Sequence, residues 1–129
     1  MTATEHALEI SLVAARAASD RKAEEIIAID VSDRLVLTDV FLIASGTNER
    51  QVNGIVDAVE EAMHARGIKA VRREGVRAGR WALLDFGDLI VHVQHTEDRA
   101  YYSLERLWSD CPAIELPADA RGGDGGPTE

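Results

Sequence analysis

The sequence predicts an α/β fold in which a mixed five-stranded sheet is flanked by helices. Three observations lead to it: apolar residues recur at helical spacing in three segments, short apolar runs lie between them, and the run at 40–44 is apolar without interruption. An uninterrupted run predicts a central strand covered on both faces. A strand, a helix and a further strand in succession predict a right-handed parallel crossover, while Gly87-Asp88 between the last two strands predicts a tight antiparallel hairpin.

The first half of the chain predicts two helices. Thr2 and Glu5 have the spacing of a capping box, so a helix is expected from Thr2 to about Lys22. A helical apolar pattern begins at Val52 and ends before Gly67, which is placed to cap a C-terminus. The five strands are predicted at residues 25–31, 35–44, 68–72, 81–86 and 89–93.

The last predicted helix begins at Thr96 and ends at Pro112, because threonine can cap a helix and proline cannot continue one. Its buried face is assigned to Ala100, Leu104, Leu107 and Trp108. These elements make one α/β domain at residues 1–112, and residues 113–129, rich in glycine, proline and acids, predict a disordered tail.

Composition limits the classes of function. The formal net charge of −9 disfavours generic binding to nucleic acid or anionic membranes, because both repel an acidic protein, and it favours a basic partner. The single cysteine, Cys111, excludes an internal disulfide framework and is typical of a reducing compartment. A polar N-terminus and the absence of an apolar run of about 20 residues predict a cytoplasmic protein without a membrane span.

Catalytic and metal sites are weakly indicated. Ser45-Gly46 lies at a strand-to-helix bend, yet it lacks the glycine of a nucleophile elbow and the lysine of a phosphate loop, so helix capping by Ser45, Thr47 or Asn48 is the preferred interpretation. His92 and His95 are three apart on a strand and point to opposite faces, which disfavours a metal site. We therefore predict no catalytic residue, metal or cofactor.

Two surface features indicate binding. Arg72, Arg73, Arg77 and Arg80 form a basic loop, for which a solvated loop is favoured over an RNA contact on so acidic a chain. Trp81 and the Tyr101-Tyr102 pair lie on or beside the last hairpin and helix. Aromatic anchors commonly carry protein interfaces, so at least one of these three side chains is predicted to be partly exposed.

Two longer stretches resemble a known family. Residues 39–47 read Asp-Val-Phe-Leu-Ile-Ala-Ser-Gly-Thr, and residues 81–93 read Trp-Ala-Leu-Leu-Asp-Phe-Gly-Asp-Leu-Ile-Val-His-Val. With the later Tyr-Ser-Leu-Glu-Arg-Leu-Trp at 102–108, they resemble the signatures of the Iojap-like ribosomal silencing factors. The resemblance covers about residues 5–110.

This resemblance implies a translation regulator that is not an enzyme. Family members bind the large ribosomal subunit through its ribosomal protein fourteen, block joining of the small subunit when nutrients are short, and dimerise when free. It also implies a nucleotidyltransferase-like fold, here without an Asp-x-Asp pair after Gly46-Thr47. The partner-binding residues carried over by position are Trp81, Leu83, Asp85, His92 and Tyr102. Asp88 and Arg99 are two further partner-binding candidates, which turn geometry and an intradomain ion pair explain equally well. The competing hypotheses are a small nucleotidyltransferase-like nucleotide-binding enzyme and a dimeric scaffold without a ribosomal role.

Overall fold

The computed structural model of the chain describes residues 2–122. The helices in this part are α1 (Glu5–Asp20), α2 (Glu49–Ala65), α3 (Thr96–Tyr102), α4 (Leu104–Leu107) and a 3-10 turn at Ala118–Ala120. The strands are β1 (Glu24–Asp30), β2 (Val40–Gly46), β3 (Arg72–Glu74), β4 (Trp81–Asp85), β5 (Leu89–His95) and β6 (Ala113–Ile114). They form one mixed sheet in the order β3-β4-β5-β2-β1-β6. A membrane-spanning helix is not found among the described residues.

The segment after α4 corrects two predictions. The sheet has six strands where five were expected, because β6 pairs antiparallel with β1. A two-residue strand carries no periodicity from which it could have been predicted. The disordered tail is also wrong for residues 113–122, where Leu116 and Ala120 are buried against the core. The rest of the predicted tail, residues 123–129, lies outside the described residues.

The central parallel pair differs from the predicted one. β2 pairs in parallel with β5 along its whole length, from Val40–Leu89 to Gly46–His95. The strand that follows α2 is instead β3, which pairs with β4 at the edge of the sheet, and Ile68 lies outside it. A position beside β2 is buried on both faces and requires an apolar strand. β5 begins with the apolar Leu-Ile-Val and is buried at six of its seven positions, whereas the charged Arg-Arg-Glu sequence of β3 is exposed throughout.

Helices α1 and α2 cover one face of the sheet. The side chain of Thr4, rather than that of Thr2, caps α1 by accepting from the Ala7 N–H at 3.1 Å. Of the three proposed caps for α2, Asn48 is the one whose side chain accepts a backbone N–H of the helix, from Gln51 at 2.8 Å. The predicted apolar stripe of α2 is confirmed, since all of its members are buried: Val52, Ile55, Val56, Val59 and Met63.

The opposite face, here called the second face, is covered only in part. Leu104, Trp108 and Cys111 pack there against the side chains of β1 and β2, in a cluster that includes Phe41 and Ile43. Over β4 and β5, by contrast, four second-face side chains remain partly exposed, those of Trp81, Leu83, Asp85 and Ile90, while His92 and Gln94 between them are buried. The second face therefore has a closed half and an open half.

The helix predicted at 96–112 is interrupted. Ser103 adopts a left-handed conformation (φ 49°, ψ 54°), so α3 ends at Tyr102 and a separate short helix, α4, ends at Leu107. Leu104 is buried as predicted and Trp108 is half-buried, but Ala100 and Leu107 are exposed, which contradicts their assignment to the core. The break at Ser103 ends the continuous helical periodicity on which that assignment rested.

Candidate protein-docking surface

The β4–β5 hairpin brings four of the predicted site residues together. Trp81, Leu83 and Asp85 alternate along β4, and Leu83 lies directly opposite His92 of β5. Opposite residues of paired strands point to the same face, so all four side chains belong to the second face. Ile90, which lies opposite Asp85, joins them there.

An aromatic cluster occupies the Trp81 end of this surface. The Trp81 ring centroid lies 5.0 Å from that of Tyr102, and the Tyr102 centroid lies 4.9 Å from that of Tyr101. Tyr101 and Tyr102 are both exposed, which confirms that the aromatic residues here are not all core. We call Trp81, Leu83, Ile90, Tyr101 and Tyr102 the docking patch.

His92 is buried next to the docking patch and is hydrogen-bonded to Trp81. It is only 5% exposed, and its Nδ1 accepts a hydrogen bond from the Trp81 indole N–H at 3.2 Å. Burial lowers the pKa of His92 to about 4, so the imidazole is neutral at physiological pH. The structure thus places this predicted contact residue beneath Trp81, where it fixes the orientation of the indole.

Asp85 and Asp88 lie at the hairpin turn. The Asp85 carboxylate accepts the Gly87 N–H at 2.8 Å and lies 3.8 Å from the Arg72 guanidinium. Asp88 is exposed, and its backbone carbonyl accepts the N–H groups of Asp39 and Val40. Asp85 therefore borders the docking patch while it shapes the turn, and Asp88 presents its carboxylate to solvent beside it.

Arg99 belongs to the interior of the domain. It is 5% exposed and donates to the Ser45 hydroxyl at 2.8 Å and to the Glu105 carboxylate at 3.3 Å. These bonds join α3 to β2 and α4. Of the two readings of Arg99 in the sequence, the intradomain ion pair is the one that the structure shows.

The basic loop is neutralised within the domain. Each of its four arginines has a carboxylate within ion-pair distance: Arg72 has Asp85, Arg73 has Glu60, Arg77 has Asp57, and Arg80 has both Glu97 and Asp98. A paired guanidinium offers less charge to a phosphate than a free one. This pairing favours the solvated loop over an RNA contact.

The sites considered for catalysis and metal binding are dispersed. The Ser45 hydroxyl accepts from Arg99 inside the protein, and the His95 imidazole caps α3 by accepting from the Glu97 N–H at 3.1 Å. His92 belongs to the second face beside Trp81. Within residues 2–122, no group of three His, Cys, Asp or Glu side chains gathers to hold a metal ion.

Two exposed or partly exposed residues of this surface, Ile90 and Leu107, are not among those predicted from the sequence. Ile90 has a detectable signal, since it is two residues from His92 on the same strand and so shares its face. Leu107 is 68% exposed, and no sequence pattern predicts this exposure, because the direction of its side chain depends on the break between α3 and α4 at Ser103.

The fold and the surface define a class: an α/β domain with helices on one sheet face and a half-open aromatic patch on the other. The model of a family described as "Ribosomal silencing factor during starvation" matches residues 4–126. The chain belongs to this family of ribosomal silencing factors, which confirms the resemblance seen in the sequence.

Individual relatives agree. The chain is 41% identical to the ribosomal silencing factor RsfS of Halalkalibacterium halodurans, over 84% of this chain and 92% of the relative. It is 32% identical to the chloroplastic protein Iojap of Zea mays, over 88% of this chain and 50% of that longer protein. A crystal structure of protein CV0518 from Chromobacterium violaceum superposes with a TM-score of 0.77 at 34% identity, covering 92% of this chain and 95% of the other.

Proposed function

We propose that this protein represses translation by binding the large ribosomal subunit through its ribosomal protein fourteen and obstructing the joining of the small subunit, as under nutrient limitation in the cytoplasm. Membership in a family described by ribosomal silencing during starvation supports the regulatory role. The observation that supports the docking role is the half-open second face, where Trp81, Tyr101 and Tyr102 form a continuous aromatic surface.

Charge favours a protein partner over RNA. The net charge of −9 complements a basic ribosomal protein, and such complementarity speeds and orients docking. Phosphate repels the same charge, and the four arginines of the basic loop are already ion-paired. The protein is therefore expected to contact the subunit mainly through protein surface.

Steric obstruction requires an interface and no reaction. A stable complex buries about 800 Å² on each partner, which a sheet face of this kind can supply. The competing nucleotidyltransferase-like function would use the Ser45-Gly46 bend, where the hydroxyl is already bonded to Arg99. Saturable binding of a magnesium nucleotide in calorimetry would favour that enzyme over the silencing factor.

A sucrose-gradient experiment tests the proposal. The protein should sediment with isolated large subunits and reduce their joining to small subunits. Trp81→Ala should weaken binding by about 2 kcal/mol, or about thirtyfold, because it removes the largest aromatic side chain of the patch. Trp81→Phe is the matched control, since it keeps an aromatic ring while it loses the indole N–H donated to His92 and part of the ring area.

Two results would contradict the proposal in different ways. If a folded Trp81→Ala protein binds large subunits as tightly as the parent, the docking patch is not the interface. If subunits join fully in an excess of bound parent protein, obstruction is not the mechanism.

The free protein is proposed to pair with a second copy. An exposed aromatic surface is costly in water, and self-association through the docking patch would cover it. Sedimentation velocity should then show a dimer for the parent and a larger monomer fraction for Trp81→Ala. An unchanged dimer in that variant would locate the self-contact elsewhere.

A further inference from the structure

The loop between β1 and β2 exposes two adjacent aliphatic side chains. Val36 is 96% exposed and Leu37 is 83% exposed, the highest values among the large apolar side chains of residues 2–122. The sequence had placed both in a strand from 35 to 44, but β2 begins only at Val40. A single exposed aliphatic residue is ordinary, whereas a contiguous apolar surface commonly marks an interaction site.

The loop is held firmly at its base. Before the apolar pair, the N–H groups of Arg34 and Leu35 both donate to the Val31 carbonyl at 2.9 Å. After it, the Thr38 hydroxyl donates to the Gly87 carbonyl at 3.1 Å, and the Asp39 carboxylate accepts the Thr4 N–H at 2.9 Å. A loop ordered before binding loses less conformational entropy when a partner docks, so Val36 and Leu37 are presented in advance.

The same bonds place the loop beside the open half of the second face. Leu35 packs into the cluster that contains Ile90 of the docking patch. The Asp39 N–H donates to the Asp88 carbonyl at 2.9 Å, which joins the loop to the hairpin turn next to Asp85. Trp81 lies at the other end of β4, about 13 Å from Asp85 along the strand. One flat partner could therefore contact the aromatic patch and the loop together.

The charges around the loop specify the kind of partner. Asp88 is exposed near the apolar pair, and Asp39 is half-buried at its base. The nearby cation, Arg34, is bonded to Asp110 at 2.8 Å and lies over the Trp108 ring. An apolar tip bordered by carboxylates fits a basic protein surface with an aliphatic recess, and it is repelled by RNA and by anionic lipid.

We propose that Val36 and Leu37 form a second anchor of the docking surface, inserted into an apolar recess of the same basic large-subunit protein that the aromatic patch contacts. This inference rests on the proposed function. The loop adjoins the turn of the β4–β5 hairpin and Trp81 lies at the hairpin's other end, so the two anchors together determine the orientation of the bound partner. Orientation matters for silencing, because obstruction depends on where the bulk of the protein lies.

The test is the double variant V36S/L37S. Both side chains are almost fully exposed, so its thermal unfolding should match that of the parent. Its dissociation constant for isolated large subunits should rise at least about tenfold, since it loses two buried aliphatic contacts. Leu8→Ser is the matched control, because Leu8 is an exposed aliphatic residue of α1, on the face of the sheet opposite the docking patch, and it should change binding less than about twofold.

The possible results are distinguishable. If V36S/L37S binds like the parent while Trp81→Ala binds weakly, the second anchor is wrong and the proposed function stands. If V36S/L37S alters self-association and leaves subunit binding unchanged, the loop serves a second copy of the chain and this inference is overturned. If the parent itself does not bind large subunits, the proposed function and the second anchor fail together.

Discussion

The burial of His92 predicts a specific acid sensitivity of the folded state. Burial lowers its pKa from 6.5 to about 4, so the unfolded chain binds a proton in a pH range where the folded protein does not. The stability linked to this group is fully present above pH 6.5 and is lost as the pH falls from 6.5 towards 4.

The magnitude follows from the shift. Each pKa unit corresponds to about 1.4 kcal/mol, so the complete shift is worth about 3 kcal/mol, and about 2 kcal/mol of this should be lost between about pH 7 and pH 5. Other groups titrate in the same range, so the quantity to measure is the difference between the parent and His92→Gln. Glutamine does not titrate and can still accept the hydrogen bond of Trp81.

Urea denaturation at the two pH values gives the free energies of unfolding. The parent should lose about 2 kcal/mol more than His92→Gln on acidification. His6→Gln, which removes an exposed imidazole, is the control for the loss of a histidine as such. Equal losses in the parent and in His92→Gln would refute the burial of a neutral imidazole beneath Trp81.

Three further experiments test the fold, and two of them include a matched control substitution. Gly75→Ala should lower the free energy of unfolding by about 2 kcal/mol or more, because at φ +68° its Cβ would clash with the Trp81 carbonyl oxygen. Gly87→Ala, with φ +89° and no atom within 4 Å of the added Cβ, should cost about 1 kcal/mol, and thermal unfolding measures both. Arg99→Met should lower the free energy of unfolding, measured by urea denaturation, by about 3 kcal/mol, because it leaves the partners of a buried charge without their hydrogen bonds. Arg16→Met, at an exposed ion pair, should lower it by less than about 1 kcal/mol. Leu116→Ala should cost about 2 to 4 kcal/mol, and an unchanged denaturation midpoint would mean that residues 113–122 do not pack on the core.

Much of the docking patch could be predicted from local pattern. Trp81, Leu83 and Asp85 alternate on a strand, and the Gly87-Asp88 turn sets the register that brings Leu83 opposite His92. The burial of His92, and with it the lowered pKa of the imidazole, could not be predicted, because both depend on packing between β4, β5 and Phe41 of β2. The burial of Arg99 could not be predicted either. Arg99 follows Glu97 and Asp98 in a helix, as an exposed arginine often does, and its partner Ser45 is distant in the chain.

By itself, the sequence determined the local elements and the family, because hydrophobic periodicity, turn residues and signature motifs act over short stretches of chain. The tertiary structure alone decided which strand lies beside β2, that residues 113–114 add a sixth strand, and that α4 leaves half of the second face open. These outcomes depend on competition between distant segments for the same buried surface. Val36 and Leu37 read as part of an apolar strand, and only the pairing of β2 with β5 from Val40 onward leaves them exposed in a loop.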